Sequence, residues 1–443
     1  MKKIILISTL LISSVCLLAQ EKWSLRQCIE YAIENYIEIK QQALNVKSSE
    51  IELSTAKNSR LPDLNASIGQ SFSYGQTVNY ATNTNMTNNA SGTDFGVSTS
   101  VPLFTGFRIP NQIKMTKFNL LAATEGLNKA KDNLSLQVAS LYLEVLFKKE
   151  IKKVYLEQLE LTKQQTEKTN TLVESGKVPS SQLYDIKAQL ARDELNVTTA
   201  DNDLNLSLLN LAQALNFQDA ETFDIAEPYI SDVITENIAS IQPPREIYQM
   251  ALDVKPQVKQ AEYNIESSKR NLKIAQSGYY PTLNFSARYS TMMQRRYGSD
   301  NAPWKDQFND NGREYLSFSL SIPIFNRFQT RNQVRSARLT IENNELALDN
   351  VKLSLFKEIQ QAFQNAIASQ AKYTSTEKAY EAASEAYKYA QERYDVGRST
   401  VFELNEAQTK LLSSKSEQVQ AKYDFLFRAK ILDFYRGIPI DIK

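Results

Sequence analysis

Side chains that catalyse reactions are scarce in this sequence of 443 residues. It contains no histidine, which is the commonest general base and the commonest metal ligand in proteins. It also shows no nucleophile motif and no glycine-rich phosphate loop. Cys28 is the only cysteine after the first twenty residues, so no intrachain disulfide is expected, and the thiol is predicted to be a small apolar residue on a helix face. The sequence therefore predicts a protein that is not an enzyme and has no cofactor or metal site.

The residues whose spacing points to a shared role lie in two similar stretches. They are "TLVESGKVPSSQLYDIKAQL", residues 171–190, and "RYDVGRSTVFELNEAQTKL", residues 393–411. Aligned without a gap, Gly176 falls on Gly397, and a glycine that adopts positive φ can end a helix there. Each stretch predicts a helix that ends near its glycine and a returning helix that begins a few residues later. The starting residues are Pro179 in the first stretch, and Ser399 and Thr400 in the second.

The similarity extends over most of the chain. "SVPLFTGF" at 100–107 matches "SIPIFNRF" at 321–328, and "AKNSRLPDLNAS" from residue 56 matches "AQSGYYPTLNFS" from residue 275. Matched prolines beside matched segments indicate an internal duplication. We expect two copies, residues 21–216 and 245–437, with a joining segment, 217–244, and a C-terminal tail, 438–443.

The first twenty residues have the pattern of a secretory signal peptide. Lys2 and Lys3 precede an apolar run and a short polar exit, and we expect cleavage near Gln20. An uncleaved anchor is the alternative, whereas "SSV" before Cys16 lacks the leucine and the small residue usual before an acylated cysteine. Removing the two lysines from 51 basic residues leaves 49, against 50 acidic ones, so no basic excess indicates a nucleic-acid partner.

Two segments in each copy change from a helical period to a period of two residues. Apolar residues alternate there with small serine, asparagine and glycine residues, as in "YLSFSLSIPIF" at 315–325. Strands that cross an outer membrane alternate in this way, with the apolar side chains outward. We therefore predict strand hairpins at 62–104 and 281–325, with polar loops exposed outside the cell. A hairpin in a soluble sandwich is the alternative.

Four strands are too few to close a barrel, and an open sheet edge would leave amides unpaired in lipid. The sequence therefore predicts that protomers share the sheet. Two protomers would give a filled barrel of eight strands, and three would give twelve strands with room for a lumen. The strand pattern alone leaves both alternatives open.

The rest of each copy predicts unusually long helices. No proline occurs from Asn111 to Glu174, a run that would form a helix about 95 Å long at ~1.5 Å per residue. A second helix is expected from Ser180 to Leu215, and the second copy repeats both. A period of seven residues predicts coiled-coil packing. It is seen in Leu120, Leu127, Leu134 and Leu141.

Together these features resemble TolC-type outer-membrane efflux proteins. The resemblance covers nearly all of residues 22–437 and rests on the doubled layout, on "SVPLF" and "SIPIF" after the strands, and on "ESG" and "DVG" at the turns. It implies a mainly α-helical fold with a membrane β-barrel. In a homotrimer, four transmembrane strands per protomer would form a twelve-stranded barrel, and long coiled-coil helices would form a periplasmic helical barrel. The joining segment and the C-terminal end would belong to an equatorial region.

Such proteins are passive exit ducts in the outer membrane of a Gram-negative-type envelope, with a periplasmic extension. The resemblance therefore implies export of small molecules or polypeptides in a tripartite efflux or type I secretion system. Its partners would be a periplasmic adaptor (a membrane fusion protein), an inner-membrane pump and outer-membrane lipid. A periplasmic coiled-coil adaptor or tether is the alternative class, although it would not need four strands patterned for lipid.

The resemblance also implies a constricted periplasmic aperture. Family members carry acidic residues six and nine positions after the second glycine, which fall here at Glu403 and Glu406. A separation of three residues places both carboxylates on one helix face. Threefold symmetry would gather six carboxylates near the axis, where they would attract cations and repel anions. An ordinary solvated helix face is the alternative.

Further site residues follow from the same resemblance. The gate tyrosine falls at Tyr394, and Gln182 stands where its acidic partner would be, so a hydrogen bond would be uncharged. Ser399 stands where the family has a gate arginine. Asp185 is assigned to the same gate. Adaptor docking is implied at the turns, at Gly176, Val396 and Gly397, and the strand-to-helix junctions are predicted at Pro102 and Pro323.

Overall fold

The computed structural model describes residues 22–79, 81–218, 222–228 and 242–441. The predicted signal peptide and most of the predicted joining segment lie outside these residues. The described helices are α1 (Leu25–Asn35), α2 (Ile37–Asn58), α3 (Arg108–Glu174), α4 (Ser180–Ala214), α5 (Pro244–Val254), α6 (Pro256–Ser277), α7 (Trp304–Asp310), α8 (Gln329–Asp395) and α9 (Val401–Tyr435). The described strands are β1 (Asn65–Ser73), β2 (Gln76–Asn79), β3 (Thr84–Thr87), β4 (Ala90–Thr105), β5 (Thr282–Arg296) and β6 (Arg313–Ser321).

The internal duplication is visible in the helix lengths. α3 and α8 have 67 residues each, and α4 and α9 have 35 each. Few glycines or prolines interrupt these sequences, so the backbone hydrogen bonds run on without a break. The prediction of two long helices per copy is therefore confirmed. Among the described residues, no helix is both long and apolar enough to cross a membrane.

The chain divides into two compact units. The first, here called the sheet unit, consists of residues 45–124 and 260–349. The second, called the core unit, comprises the described parts of residues 22–44, 125–259 and 350–441. Both copies of the repeat contribute to each unit, so neither unit corresponds to one copy.

The sheet unit holds an antiparallel sheet with the strand order β1-β4-β5-β6. Ile68 of β1 is paired with Phe95 of β4, which is paired on its other side with Thr291 of β5. Directly paired residues share a face of the sheet, so the predicted alternation produces one largely apolar face. The opposite face carries small polar residues, as in the row formed by Ser67, Gly96 and Ser290.

The strand boundaries differ from those predicted. β4 and β5 have 16 and 15 residues, whereas β1 and β6 have nine each. The expected end of the fourth strand at residue 325 is wrong, because β6 ends at Ser321. This residue pairs with Thr282, where β5 begins, so no residue of β5 lies beyond it to continue the ladder.

The two predicted polar loops, residues 76–93 and 295–312, contain regular structure. The first loop holds the short hairpin of β2 and β3 and the beginning of β4. The second holds the seven-residue helix α7. Segments this short show too few periods for a sequence pattern to predict them.

The core unit is built around one apolar cluster. Cys28 is fully buried within it, which agrees with its predicted role as a small apolar residue. The Tyr142 hydroxyl, also in this cluster, lies 2.8 Å from the carbonyl oxygen of Ala226 and 3.2 Å from that of Trp23. Trp23 forms a short parallel bridge with Ile225, so this part of the joining segment belongs to the core.

Candidate functional site at the helical turns

The two helical turns have the same backbone conformation. Gly176 and Gly397 have φ angles of 71° and 72°, in the region that favours glycine. The amide that follows each glycine, of Lys177 or Arg398, donates to the carbonyl five residues earlier, at 2.9 Å and 2.8 Å. Each glycine amide donates to the carbonyl three residues earlier. This is the Schellman arrangement, which satisfies carbonyl groups at a helix end.

The helices that return from the turns begin differently. In α9, the hydroxyl of Thr400 accepts a hydrogen bond from the amide of Glu403 at 3.3 Å, so this helix has a side-chain N-cap. In α4, Pro179 occupies the cap position and makes no side-chain hydrogen bond. The second turn therefore has a capped return helix and the first does not.

Glu403 and Glu406 are exposed near the start of α9, and each has a basic neighbour. The Glu403 carboxylate lies 3.5 Å from the Arg393 guanidinium and accepts from the Ser399 hydroxyl at 2.5 Å. Glu406 accepts from the Lys410 ammonium at 2.8 Å, and this hydrogen bond and charge lower the pKa of Glu406. The two acidic groups lie close together along one helix, but nearby cations offset part of their charge.

The other residues that the sequence assigns to a gate are not joined within one protomer. Among the described residues, the Tyr394 hydroxyl makes no hydrogen bond, and the side-chain amide oxygen of Gln182 is buried without a partner. The hydrogen bond between these residues that the sequence allowed is therefore not formed. Asp185 is exposed on α4, and Val396 is exposed beside its turn.

Polar contacts between the two long helical hairpins were missed by sequence reasoning. One hairpin consists of α3 and α4, and the other of α8 and α9. The contacts are Lys168 to Asp395 at 2.6 Å, Lys415 to Glu157 at 2.6 Å, and the Gln165 amide to the Tyr387 hydroxyl at 3.2 Å. In every pair the residues are more than 220 positions apart, so no local motif could have revealed them.

The doubled architecture of this chain is also found in a known protein family. The family model described as "Outer membrane efflux protein" matches residues 28–216 and 247–434. The chain belongs to the outer membrane efflux protein family. The two matched segments correspond to the two copies of the internal repeat.

Individual members of the efflux family are distant in sequence but close in fold. The outer membrane efflux protein BepC of Brucella suis is 22% identical over 333 residues, spanning 74% of this chain and 68% of BepC. TolC of Escherichia coli is 22% identical over 304 residues, spanning 67% of this chain but 59% of TolC. The crystal structure of the Campylobacter jejuni CmeC outer membrane channel superposes with a TM-score of 0.76 at 16% identity, covering 95% of this chain and 87% of CmeC. The family match favours a channel over a periplasmic adaptor.

In this efflux-family chain, the predicted junction prolines lie in different settings. Pro102 is inside β4, and the strand continues to Thr105 because the pairing register shifts between Pro102 and Phe104. Such a shift accommodates a residue that has no amide hydrogen to donate. Pro323 lies beyond the end of β6 and before α8.

The backbone after each proline turns in the same way to enter the long helix. Gly106 and Phe107 have φ angles of 61° and 67°, and Arg327 and Phe328, which follow them by 221 residues, have 53° and 61°. A Cβ at Gly106 would lie 2.7 Å from the carbonyl oxygen of Ser277, so a larger residue would not fit. The sequence concealed this equivalence because arginine replaces glycine in the second copy.

A buried polar cluster lies between the hairpins of this efflux-family chain. The Thr162 hydroxyl donates to the Asp193 carboxylate at 2.7 Å and accepts from the amides of Gln158 at 3.3 Å and Gln408 at 3.2 Å. One hydroxyl has one donor and two acceptor positions, so all three are used. Thr162, Asp193 and Gln408 are buried, and they connect α3, α4 and α9. We call these residues the Thr162 cluster.

Proposed function

We propose that three copies of this chain form an outer-membrane exit duct, in which each copy supplies four strands and two helical hairpins to a continuous wall. The observation that carries the proposal is that both outer strands of the sheet, β1 and β6, have no partner on one side among the described residues of the chain. An unpaired edge is incompatible with a lipid environment, so a neighbouring copy must pair with it. Twelve strands are enough to enclose a lumen.

Two exposed apolar stripes support assembly through the helices as well. In α2 and in α8, three large apolar side chains follow one another at a spacing of seven residues, and each is 61% to 67% exposed in the single chain. These residues are Ile37, Leu44 and Ile51 on α2, and Leu339, Leu346 and Leu353 on α8. A spacing of seven residues forms the seam of a coiled coil, and no other described helix of the chain covers these side chains. A second copy of the chain is the partner of matching geometry.

The proposed exit path narrows at the acidic face of α9. Three copies would bring Glu403 and Glu406 together as six carboxylates, and Arg393 and Lys410 would oppose their field. We therefore propose a moderately cation-selective aperture, in which the basic neighbours limit the selectivity. The exposed side chains of Val396 and Phe402 beside the second turn would offer an apolar contact to a periplasmic adaptor, which in turn would link the duct to an inner-membrane pump.

The assembly is tested by changing an exposed stripe. Leu346→Asp places a charge in the proposed seam, and we expect loss of the trimer in crosslinking and size-exclusion measurements of detergent-solubilised protein. Glu345→Gln changes the neighbouring exposed residue and is the matched control, which should remain trimeric. A Leu346→Asp protein that stays trimeric would contradict the helical seam, and a wild-type protein that is monomeric in the outer membrane would contradict the duct.

The aperture is tested by single-channel recording. Replacing both Glu403 and Glu406 by glutamine should lower the cation-to-anion permeability ratio, whereas Lys410→Gln should raise it because an opposing charge is removed. Since the folded pKa of Glu406 lies below its ordinary value of 4.5, its contribution should persist as the pH falls to that value and disappear only below it. Equal permeability ratios in all variants would refute the aperture.

A further inference from the structure

The C-terminal end of β5 extends beyond its neighbour β6. β5 pairs with β4 as far as Arg296, but its pairing with β6 stops at Ser290. The backbone of residues 291–296 therefore has an open side within the sheet. Gln307 of α7 accepts a hydrogen bond from the Gln294 amide at 2.8 Å, and the Asn311 side chain donates to the Met292 carbonyl at 2.7 Å. α7 and the residue that caps its C-terminus thus satisfy the strand edge where β6 is missing.

α7 also lies over the apolar face of the sheet. The Phe308 ring packs edge-on against Phe95, with ring centroids 5.8 Å apart, and the Phe308 carbonyl accepts from the Thr291 hydroxyl at 2.8 Å. Phe95 and Thr291 are directly paired and share the apolar face. Thr291 is only 3% exposed although it lies on an otherwise open face. The helix is therefore held against the surface that the proposed function places in lipid.

Trp304 continues the apolar side of α7 without being covered. It precedes Phe308 by four residues, so the two side chains lie along the same side of the helix. Trp304 is nevertheless 70% exposed, and it is one of only two tryptophans in the chain. Tryptophan is enriched where membrane hydrocarbon meets the headgroups, because its ring is apolar and its N–H is polar.

We propose that α7 lies in the interfacial layer of the bilayer and that Trp304 inserts at the boundary between headgroups and hydrocarbon. The partner is phospholipid itself. Residues 295–314 carry four basic and four acidic side chains, so the segment has no charge preference and a zwitterionic lipid suffices. This inference rests on the proposed membrane placement of the sheet and adds that the second loop anchors on the lipid side instead of extending into water.

The experiment uses tryptophan fluorescence of the full-length protein reconstituted in phosphatidylcholine vesicles. In Trp23→Phe the only remaining tryptophan is Trp304. We expect blue-shifted emission, stronger quenching by lipids brominated near the headgroup than by lipids brominated deep in the chain, and weak quenching by acrylamide. Should Trp23→Phe fail to fold, subtracting the emission of Trp304→Phe from that of the wild type isolates the same signal.

Two results would overturn the inference. Strong quenching by acrylamide without quenching by bromolipids would show that α7 lies in water. Protection from both quenchers, already present in the detergent-solubilised trimer, would show that a neighbouring copy covers Trp304.

A control variant separates this inference from the proposed function. Phe318→Trp, in a protein that lacks Trp23 and Trp304, places the reporter in β6 on the same face as Phe285, away from α7. Quenching of this reporter by deeply brominated lipid, together with an unquenched Trp304, would refute the position of α7 and leave the membrane sheet intact. Absence of bromolipid quenching at both positions would refute the membrane placement and the inference with it.

Discussion

In each copy of the repeat, one residue with extended backbone makes a break between the first two helices. The two residues at this break have opposite side-chain chemistry. Tyr36 separates α1 from α2 and Lys255 separates α5 from α6, with φ and ψ of −66° and 130° in the first and −73° and 126° in the second. Tyr36 packs against the apolar cluster of the core unit. The Lys255 ammonium instead lies 3.1 Å from the centre of the Phe434 ring and 3.3 Å from the Asp132 carboxylate. The duplication has thus preserved geometry more closely than composition.

The ends of the return helices show the same difference. α4 and α9 are each followed by a residue with positive φ, Asn216 at 57° and Gly437 at 83°. In both, the next amide donates to the carbonyl five residues earlier. Asparagine adopts this conformation more readily than most other residues with a side chain, so it can end the helix in place of glycine.

The Thr162 cluster has no counterpart in the second copy. A shift of 221 residues, the spacing of Gly176 and Gly397, places Ala383, Ser414 and Lys187 at the positions equivalent to Thr162, Asp193 and Gln408. The cluster combines residues from both copies, so it belongs to the contact between the hairpins. The copies have become different where they meet each other, and they remain alike where each makes its own turns.

The largest expected effect tests the charged break. Asp132→Asn leaves the Lys255 ammonium, which is 3% exposed, without its counterion, and we expect a loss of about 3 kcal/mol in unfolding free energy. Burial lowers the pKa of Lys255, and Asp132 opposes that shift. Because the folded pKa lies below the unfolded value of 10.5, the stability of the variant should rise as the pH approaches 10.5. Urea titration followed by far-UV circular dichroism in detergent, at neutral and alkaline pH, measures both effects.

Lys255→Met is the matched variant, because it removes the other charge of the pair that Lys255 forms with Asp132. The remaining Asp132 side chain is 35% exposed and can be hydrated, so we expect a smaller loss than for Asp132→Asn, about 1 to 2 kcal/mol. A larger loss for Lys255→Met than for Asp132→Asn would show that packing of the lysine stem, and not its charge, maintains the break.

The next effect concerns the contact between the hairpins. Thr162→Val removes the hydroxyl that the Asp193 carboxylate and the Gln408 amide share. We expect a loss of about 2 kcal/mol because the buried Gln408 amide is left unpaired, whereas Asp193 still accepts from Gln189 at 2.9 Å. Thr162→Ser retains the hydroxyl and removes one methyl group, which should cost about 1 kcal/mol. The same urea titration distinguishes them, and equal losses would show that the cluster stabilises through packing alone.

The turns should respond equally in the two copies. Gly176→Ala and Gly397→Ala each place a Cβ at positive φ, where the backbone penalty is about 1 to 2 kcal/mol. An added Cβ would meet no other atom within 4 Å at either position, so the penalty comes from the backbone alone. Unequal midpoints in urea titration would contradict the equivalence of the turns.

The smallest effect distinguishes the starts of the return helices. Thr400→Ala removes the N-cap of α9, and we expect a loss of about 1 kcal/mol. Pro179→Ala removes no side-chain hydrogen bond, so its effect should be a few tenths of a kcal/mol through the unfolded chain. Hydrogen exchange of the first amides of α9 and α4 gives a local measure, and equal protection changes would rule out a special role for Thr400.

Local patterns predicted the parts of the fold that depend on neighbouring residues. Scarce glycine and proline predicted α3 and α8, and glycine at 176 and 397 predicted the turns because the required φ is a property of one residue. Alternation predicted the apolar face of the sheet. The end of β6 was not predictable in this way, since it depends on where β5 begins.

The candidate site was predictable only in part, for the same reason. The spacing of Glu403 and Glu406 predicted a common face of α9, and both residues are exposed on that helix. It could not reveal that Arg393 lies beside Glu403, nor that Lys168 pairs with Asp395. These contacts are decided by which side chains of the helices meet, and that depends on how the helices pack.

One buried side chain has a practical consequence for studies of assembly. Cys28 is completely enclosed in the core unit, and its burial raises the pKa of the thiol to about 12. Alkylating reagents attack the thiolate, so the folded protein should resist them at neutral pH. The rate of alkylation at this one atom would therefore report how often the core opens, from the first folding of the polypeptide to its final residence in the cell envelope.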